Sequence, residues 1–173
     1  MALFKSEQST TSVEPRIAVM LTKHNGSHTR DFPGGRSIPR PVDERLARIE
    51  AAGMAFAVED SMLNGYAPEL RGDIKRFERF RTRWLGNDPS SYATIWRMLA
   101  AADMQDELAR LTCPVLVIGG SLDRVRPPPL AEAVAKSIPG ARYVEIRTGH
   151  YMSVQTPDLL SDCIHEFLTS VGA

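Results

Sequence analysis

The chain changes its hydrophobic period twice. "RIAVML", Arg16 to Leu21, is a short run of aliphatic and β-branched residues, the pattern of a strand buried on both faces. Before it, residues 1–14 are polar, rich in serine and threonine and without an apolar period, which predicts a mobile tail. After it, "TKHNGSHTRDFPGGRSIPRP" holds too many glycines and prolines for a long helix or strand and predicts a loop. From Asp43 to about Leu111 the period is helical. Leu46, Ile49 and Met54 begin one apolar face, and Leu70, Ile74, Phe77 and Trp84 form another at helical spacing. "NDPSSY" announces a further helix, with Asp88 placed as N-cap and Pro89 at the first helical position, followed by Tyr92, Ile95, Trp96 and Leu99.

The last third alternates. "CPVLVIGG" reads as a buried strand, "PPLAEAVAKSIPG" as a helix closed by Pro139-Gly140, "ARYVEI" as a second strand and "TPDLLSDCIHEFLTSV" as a final amphipathic helix. Strand, helix, strand, helix at these lengths predicts βαβ units and a parallel sheet. The fold class is therefore α/β, with a helical insertion between two parts of one core.

Composition narrows the functions available. At 173 residues and 43% apolar, the chain has enough for one core in one domain. Lysine plus arginine balance aspartate plus glutamate at 21 each, so no net field draws nucleic acid or an anionic membrane. No run approaches the roughly 20 apolar residues of a membrane helix, and the first residues lack a long apolar stretch. Cys113 and Cys163 lie far apart with no metal-ligand spacing, and read as reduced thiols. "GGSLD" lacks the later glycines of a dinucleotide fingerprint. The expectation is a soluble cytoplasmic protein with no metal and no cofactor.

Two loops carry useful chemistry. In open parallel sheets the working residues sit beyond the carboxyl ends of strands. "SLDRVRPPP" puts Asp123 after one strand, and "RTGHYM" puts His150 after the next. Adjacent parallel strands lie about 4.8 Å apart, so the two side chains can meet above the sheet. An aspartate that orients an imidazole fixes its tautomer and stabilises the imidazolium, while the imidazole takes a nucleophile's proton. A plainer role stays open for Asp123, as the cap of the turn before Pro127-Pro128-Pro129.

The stretch "CPVLVIGGSLDRVRPPPLAEAVAKSIPGARYVEIRTGHYMSVQTPDLLSDCIHEFL" resembles the C-terminal segment of α/β-hydrolase fold enzymes, where a strand ends in G-x-x-D and a later G-H loop closes a triad. "RLARIEAAGMA" through "SYATIWRMLAAADMQDELARLTCP" is similar to the helical cap of the 3-oxoadipate enol-lactonase group, and "EPRIAVML" to the strand before that cap. The resemblance implies a tail at 1–14, hydrolase core at 15–34 and 112–173 carrying the last three strands, and a cap at 35–111. It implies Asp123 as triad acid, His150 as triad base, and hydrolysis of a small ester or lactone.

The departure from that family is the nucleophile. No G-x-S-x-G elbow occurs in the 173 residues. Ser27 has Asn25 and Thr29 two places either side, where a tight elbow wants small residues, and no helical pattern follows it. Ser121 lies two residues from Asp123 and shapes that turn. The expectation is the C-terminal half of a truncated or split serine hydrolase, whose nucleophile comes from a missing half or from a complementary N-terminal-half chain. A non-catalytic remnant that acts as an interaction module, or a homodimer paired through its open strand edge, is the alternative. Tyr92 and Trp96 are candidates for lining a substrate pocket, although Trp84, Trp96, Phe77, Phe80 and Tyr92 read first as cap core. Arg79, Arg81 and Arg83 read as a solvated face, with a substrate-carboxylate clamp as the other possibility. His24, His28 and His165 have no partner pattern.

Overall fold

The computed structural model describes residues 40–102 and 104–172. The strand expected at Arg16–Leu21, the tail, His24, Ser27 and His28 lie outside the described residues.

The chain first builds helices: α1 (Arg40–Ala52), α2 (Met54–Gly65), a 3-10 turn (Pro68–Leu70), α3 (Ile74–Leu85), α4 (Pro89–Ala101) and the short α5 (Gln105–Leu108). Gly53 separates α1 from α2 at φ +83°, a left-handed conformation that glycine adopts without a Cβ penalty. The start of α4 is as the sequence predicts. Asp88 accepts the Ser91 amide at 2.7 Å with Pro89 in the first turn, and these amide bonds hold its carboxyl below the usual range. Asp73 caps α3 in the same way through the amide of Arg76.

Two apolar clusters hold these helices together. Leu46, Ile49, Met54, Ala57 and Ala93 are buried against Trp84, Tyr92 and Trp96. Val58, Met62 and Tyr66 are buried against Phe77, Phe80 and Trp84, and also against Tyr151 and Val154 from the C-terminal part. The second cluster is the seam between cap and core.

Three expected inward positions point outward. Ile74 is 69% exposed, Ile95 54% and Leu99 36%. The Asp73 cap starts α3 at Ile74, so Leu70 sits in a separate turn and the spacing from 70 to 74 does not lie on one helix. The inward face of α3 is Phe77, Phe80 and Trp84. On α4 the fully buried residue is Ala93, whose small side chain lets α4 close on α1, and this rotation carries Ile95 and Leu99 to the outside.

The rest is a parallel pair wrapped by helices. β1 (Leu116–Gly120) and β2 (Arg142–Ile146) are joined through α6 (Pro128–Lys136), with Leu116 opposite Arg142 and Gly120 opposite Ile146. All of β1 is buried. Val115 and Val117 face Ala131, Ala135 and Ile138 on one side, while Leu116 and Ile118 face Phe167 and Ile164 of α8 (Pro157–Ser170) on the other. The turn-long α7 (Met152–Gln155) lies between β2 and α8. Both sheet faces are covered, which is why β1 reads as a continuous apolar run. These two are the strands found among the described residues.

Two measurements check this packing. Leu46→Ala should lower the unfolding free energy by about 2–5 kcal/mol in urea titrations, whereas Ile95→Ala should stay within about 0.5 kcal/mol. Burial pushes the Cys163 thiol up; iodoacetamide should therefore label it more slowly at pH 8 than it labels a free cysteine peptide, and the rate should keep rising at higher pH.

Candidate functional site

The loops that leave β1 and β2 are tied to each other by their own backbones. The Ser121 N–H donates to the Ile146 carbonyl at 2.9 Å and the Leu122 N–H to the Thr148 carbonyl at 3.0 Å, so pairing continues past the end of the sheet. Gly120 makes this possible, because a Cβ there would lie 2.6 Å from the Thr148 carbonyl oxygen. Thr148 is fully buried and shares a 2.6 Å hydroxyl contact with Thr156. Both loops are thus locked in register before any side chain acts.

That lock brings Asp123 to His150. Asp123 is 5% exposed. Its Oδ1 accepts the amides of Val125 and Arg126, each at 2.8 Å, and its Oδ2 lies 2.9 Å from His150 Nδ1. The two roles open to Asp123 in the sequence are therefore filled by its two oxygens: one caps the turn, the other meets the imidazole. An ionised carboxylate only accepts hydrogen bonds, so Nδ1 carries the proton and donates. In the neutral ring Nε2 is then the basic nitrogen, and the pair can take a proton from a donor while the carboxylate steadies the resulting imidazolium. Three hydrogen bonds offset the cost of burying the carboxylate. The nearby Arg126 guanidinium has its pKa lowered by burial, opposed by the charge of Asp123.

Around His150 the walls are aromatic. The ring of Tyr151 stands edge-on to the imidazole at 5.4 Å between centroids. Tyr151 packs on Phe80 at 4.8 Å and on Trp84 at 5.7 Å; Trp84 packs on Tyr92, and Tyr92 on Trp96. Burial pushes the Tyr151 phenol well above its ordinary value. Tyr92 and Trp96 are therefore linked to His150 through Trp84 and Tyr151, as members of the cap core, and the buried Tyr92 hydroxyl has no hydrogen-bond partner among the described residues.

The other candidates are not drawn in. Ser121 is exposed at the head of its loop, and His165 is exposed on α8. Arg79 and Arg83 are exposed and Arg81 pairs with Glu59, the arrangement of a solvated face. No group of three or more metal-ligating side chains occurs among the described residues. Among the described residues no helix is long and apolar enough to cross a membrane.

Sequence reasoning missed three supports of the site. Gln155 is buried beneath the histidine loop, where its Oε1 accepts the Tyr151 N–H at 2.9 Å. Tyr151 closes the aromatic wall. The carbonyl of Gly65, at the end of α2, accepts the His150 N–H at 3.0 Å. Proximity to "GH" could have marked Tyr151 and Gln155; nothing local marks Gly65, which is 85 positions away in the chain.

No family model matches the chain. It is 47% identical over 62 residues to a rhodomycin D methylesterase from a Streptomyces species, covering 34% of this chain and 21% of that protein. It is 24% identical over 128 residues to 3-oxoadipate enol-lactonase 1 of Acinetobacter baylyi, covering 73% of this chain and 48% of that one. Among solved structures, a thermophilic esterase from Thermogutta terrifontis superposes with a TM-score of 0.70 at 27% identity, over 78% of this chain and 52% of that chain. The enol-lactonase from Burkholderia xenovorans superposes with a TM-score of 0.68 at 24% identity, over 73% and 49%. The chain thus spans about half or less of the length of the relatives it matches. It shares the α/β-hydrolase fold of these enzymes over about three quarters of its own length.

Proposed function

We propose that this chain supplies the acid and the base of a serine-type acyl hydrolase that acts on a small ester or enol-lactone. The observation that carries the reading is the 2.9 Å bond between a buried Asp123 and His150 on loops locked to one another. In this reading Asp123 orients His150, and His150 Nε2 takes the proton of a serine as that serine attacks the ester carbonyl. His150 then returns the proton to the leaving alcohol, and the same base activates water to release the acid. The esterases, methylesterases and enol-lactonases among the relatives support ester or lactone hydrolysis as the reaction class.

The nucleophile and the oxyanion hole come from a missing half or partner chain that bears the G-x-S-x-G elbow. The aromatic cap at 35–111, with Tyr92 and Trp96 near its core-facing side, encloses an apolar or planar substrate. The assembled protein works in the cytoplasm, with no metal or cofactor.

The test begins with the native mass of the protein from its own cells, its subunits identified after denaturation. A second polypeptide with a serine elbow is the expected result. The complex should hydrolyse a short-chain 4-nitrophenyl ester or an enol-lactone, and His150→Ala or Asp123→Asn should each lower kcat by about 10⁴-fold. A monomer or homodimer without turnover would overturn this reading in favour of a non-catalytic interaction module.

A further inference from the structure

We propose that the carboxyl end of the cap helix α2 positions His150, with Gly65 and Arg71 as the positioning residues. The inference rests on reading His150 as the base. It starts from where the histidine loop obtains its backbone bonds. Those between the core loops end at Thr148, whose carbonyl accepts from Leu122. Two residues later the His150 N–H turns away from the core and donates to the Gly65 carbonyl at 3.0 Å. Asp123 is held by core residues alone, whereas the backbone of its partner is held by the cap.

Gly65 is suited to this place by what it lacks. A Cβ there would fall 2.6 Å from Cε2, 2.8 Å from Cζ and 2.9 Å from Oη of Tyr151, well inside van der Waals contact. The Tyr151 ring in turn lies against His150 and reaches the Ser61 carbonyl of α2 with its hydroxyl, at 3.5 Å. A methyl group at 65 would force the ring, and with it the histidine loop, off the helix end.

Arg71 leaves the Gly65 carbonyl available. The last carbonyls of a helix have no partner within it. Here the Arg71 guanidinium takes the Met62 carbonyl at 2.6 Å and the Tyr66 carbonyl at 2.9 Å, and its charge suits the negative end of the helix dipole. With the turn held rigid by these bonds, the Gly65 carbonyl faces the His150 amide. A cap that shifts on the core therefore moves the imidazole against a stationary carboxylate, and a displacement near 1 Å costs about a hundredfold in rate.

The experiment uses NMR on the full chain. At a pH where the imidazole is neutral, long-range ¹H–¹⁵N correlation reads which ring nitrogen of His150 carries the proton. In the unsubstituted chain this should be Nδ1. In Gly65→Ala the Nδ1 form should give way to a tautomer mixture, and Gly65→Ala combined with Tyr151→Leu, which makes room for the methyl, should restore it. Leu46→Ala, a destabilised cap without change at the seam, should leave the tautomer as it was. Arg71→Gln should speed exchange of the His150 amide about tenfold or more while the Leu122 amide, bonded within the core, keeps its protection. Retention of both the Nδ1 tautomer in Gly65→Ala and the amide protection in Arg71→Gln would overturn the inference. If Gly65→Ala does not fold, the Arg71→Gln exchange decides by itself. Neither readout uses catalysis: a tautomer that responds at a His150 whose loss leaves hydrolysis untouched would refute the proposed reaction and not the positioning.

Discussion

A carboxylate buried in a protein interior has to be given partners, and the Asp123 side chain organises the region around that need. Two amides of its own turn take one oxygen and an imidazole takes the other. The amides require the tight turn before the proline run. The imidazole requires that the loop after β2 arrive beside the loop after β1, and the backbone bonds from Ser121 and Leu122 deliver it there. Without these contacts the charge would be too costly to keep at 5% exposure.

The same constraint explains the division of labour between core and cap. The core fixes Asp123 through local turn chemistry and strand register, both of which are rigid. His150 sits on the seam, where Tyr66, Phe77, Phe80, Trp84 and Tyr151 pack cap against core. An aromatic seam combines large buried area with few rotamers, so it holds position without a lattice of hydrogen bonds.

Much of the architecture was legible along the chain. The buried strand at Leu116–Gly120, the Asp88-Pro89 helix start and the alternation of the last third follow from local periods and caps, and the structure has them where the patterns put them. The helix faces were less legible. Ile74, Ile95 and Leu99 fit an apolar stripe yet lie outside, because a helical cap placed α3's start and a small residue, Ala93, decided which side of α4 could approach α1.

The sequence by itself determined that an aspartate and a histidine would stand at the ends of two neighbouring parallel strands, because short apolar runs, the amphipathic helices between them and the loop lengths are local properties. It also determined that no G-x-S-x-G elbow accompanies them in these 173 residues. Only the tertiary structure decided that Asp123 divides its oxygens between turn and imidazole, and that the amide of His150 is held by Gly65 from the cap side of the seam. Those contacts join residues that are distant in the chain, and their existence depends on how two packed units close on each other, which no local pattern encodes.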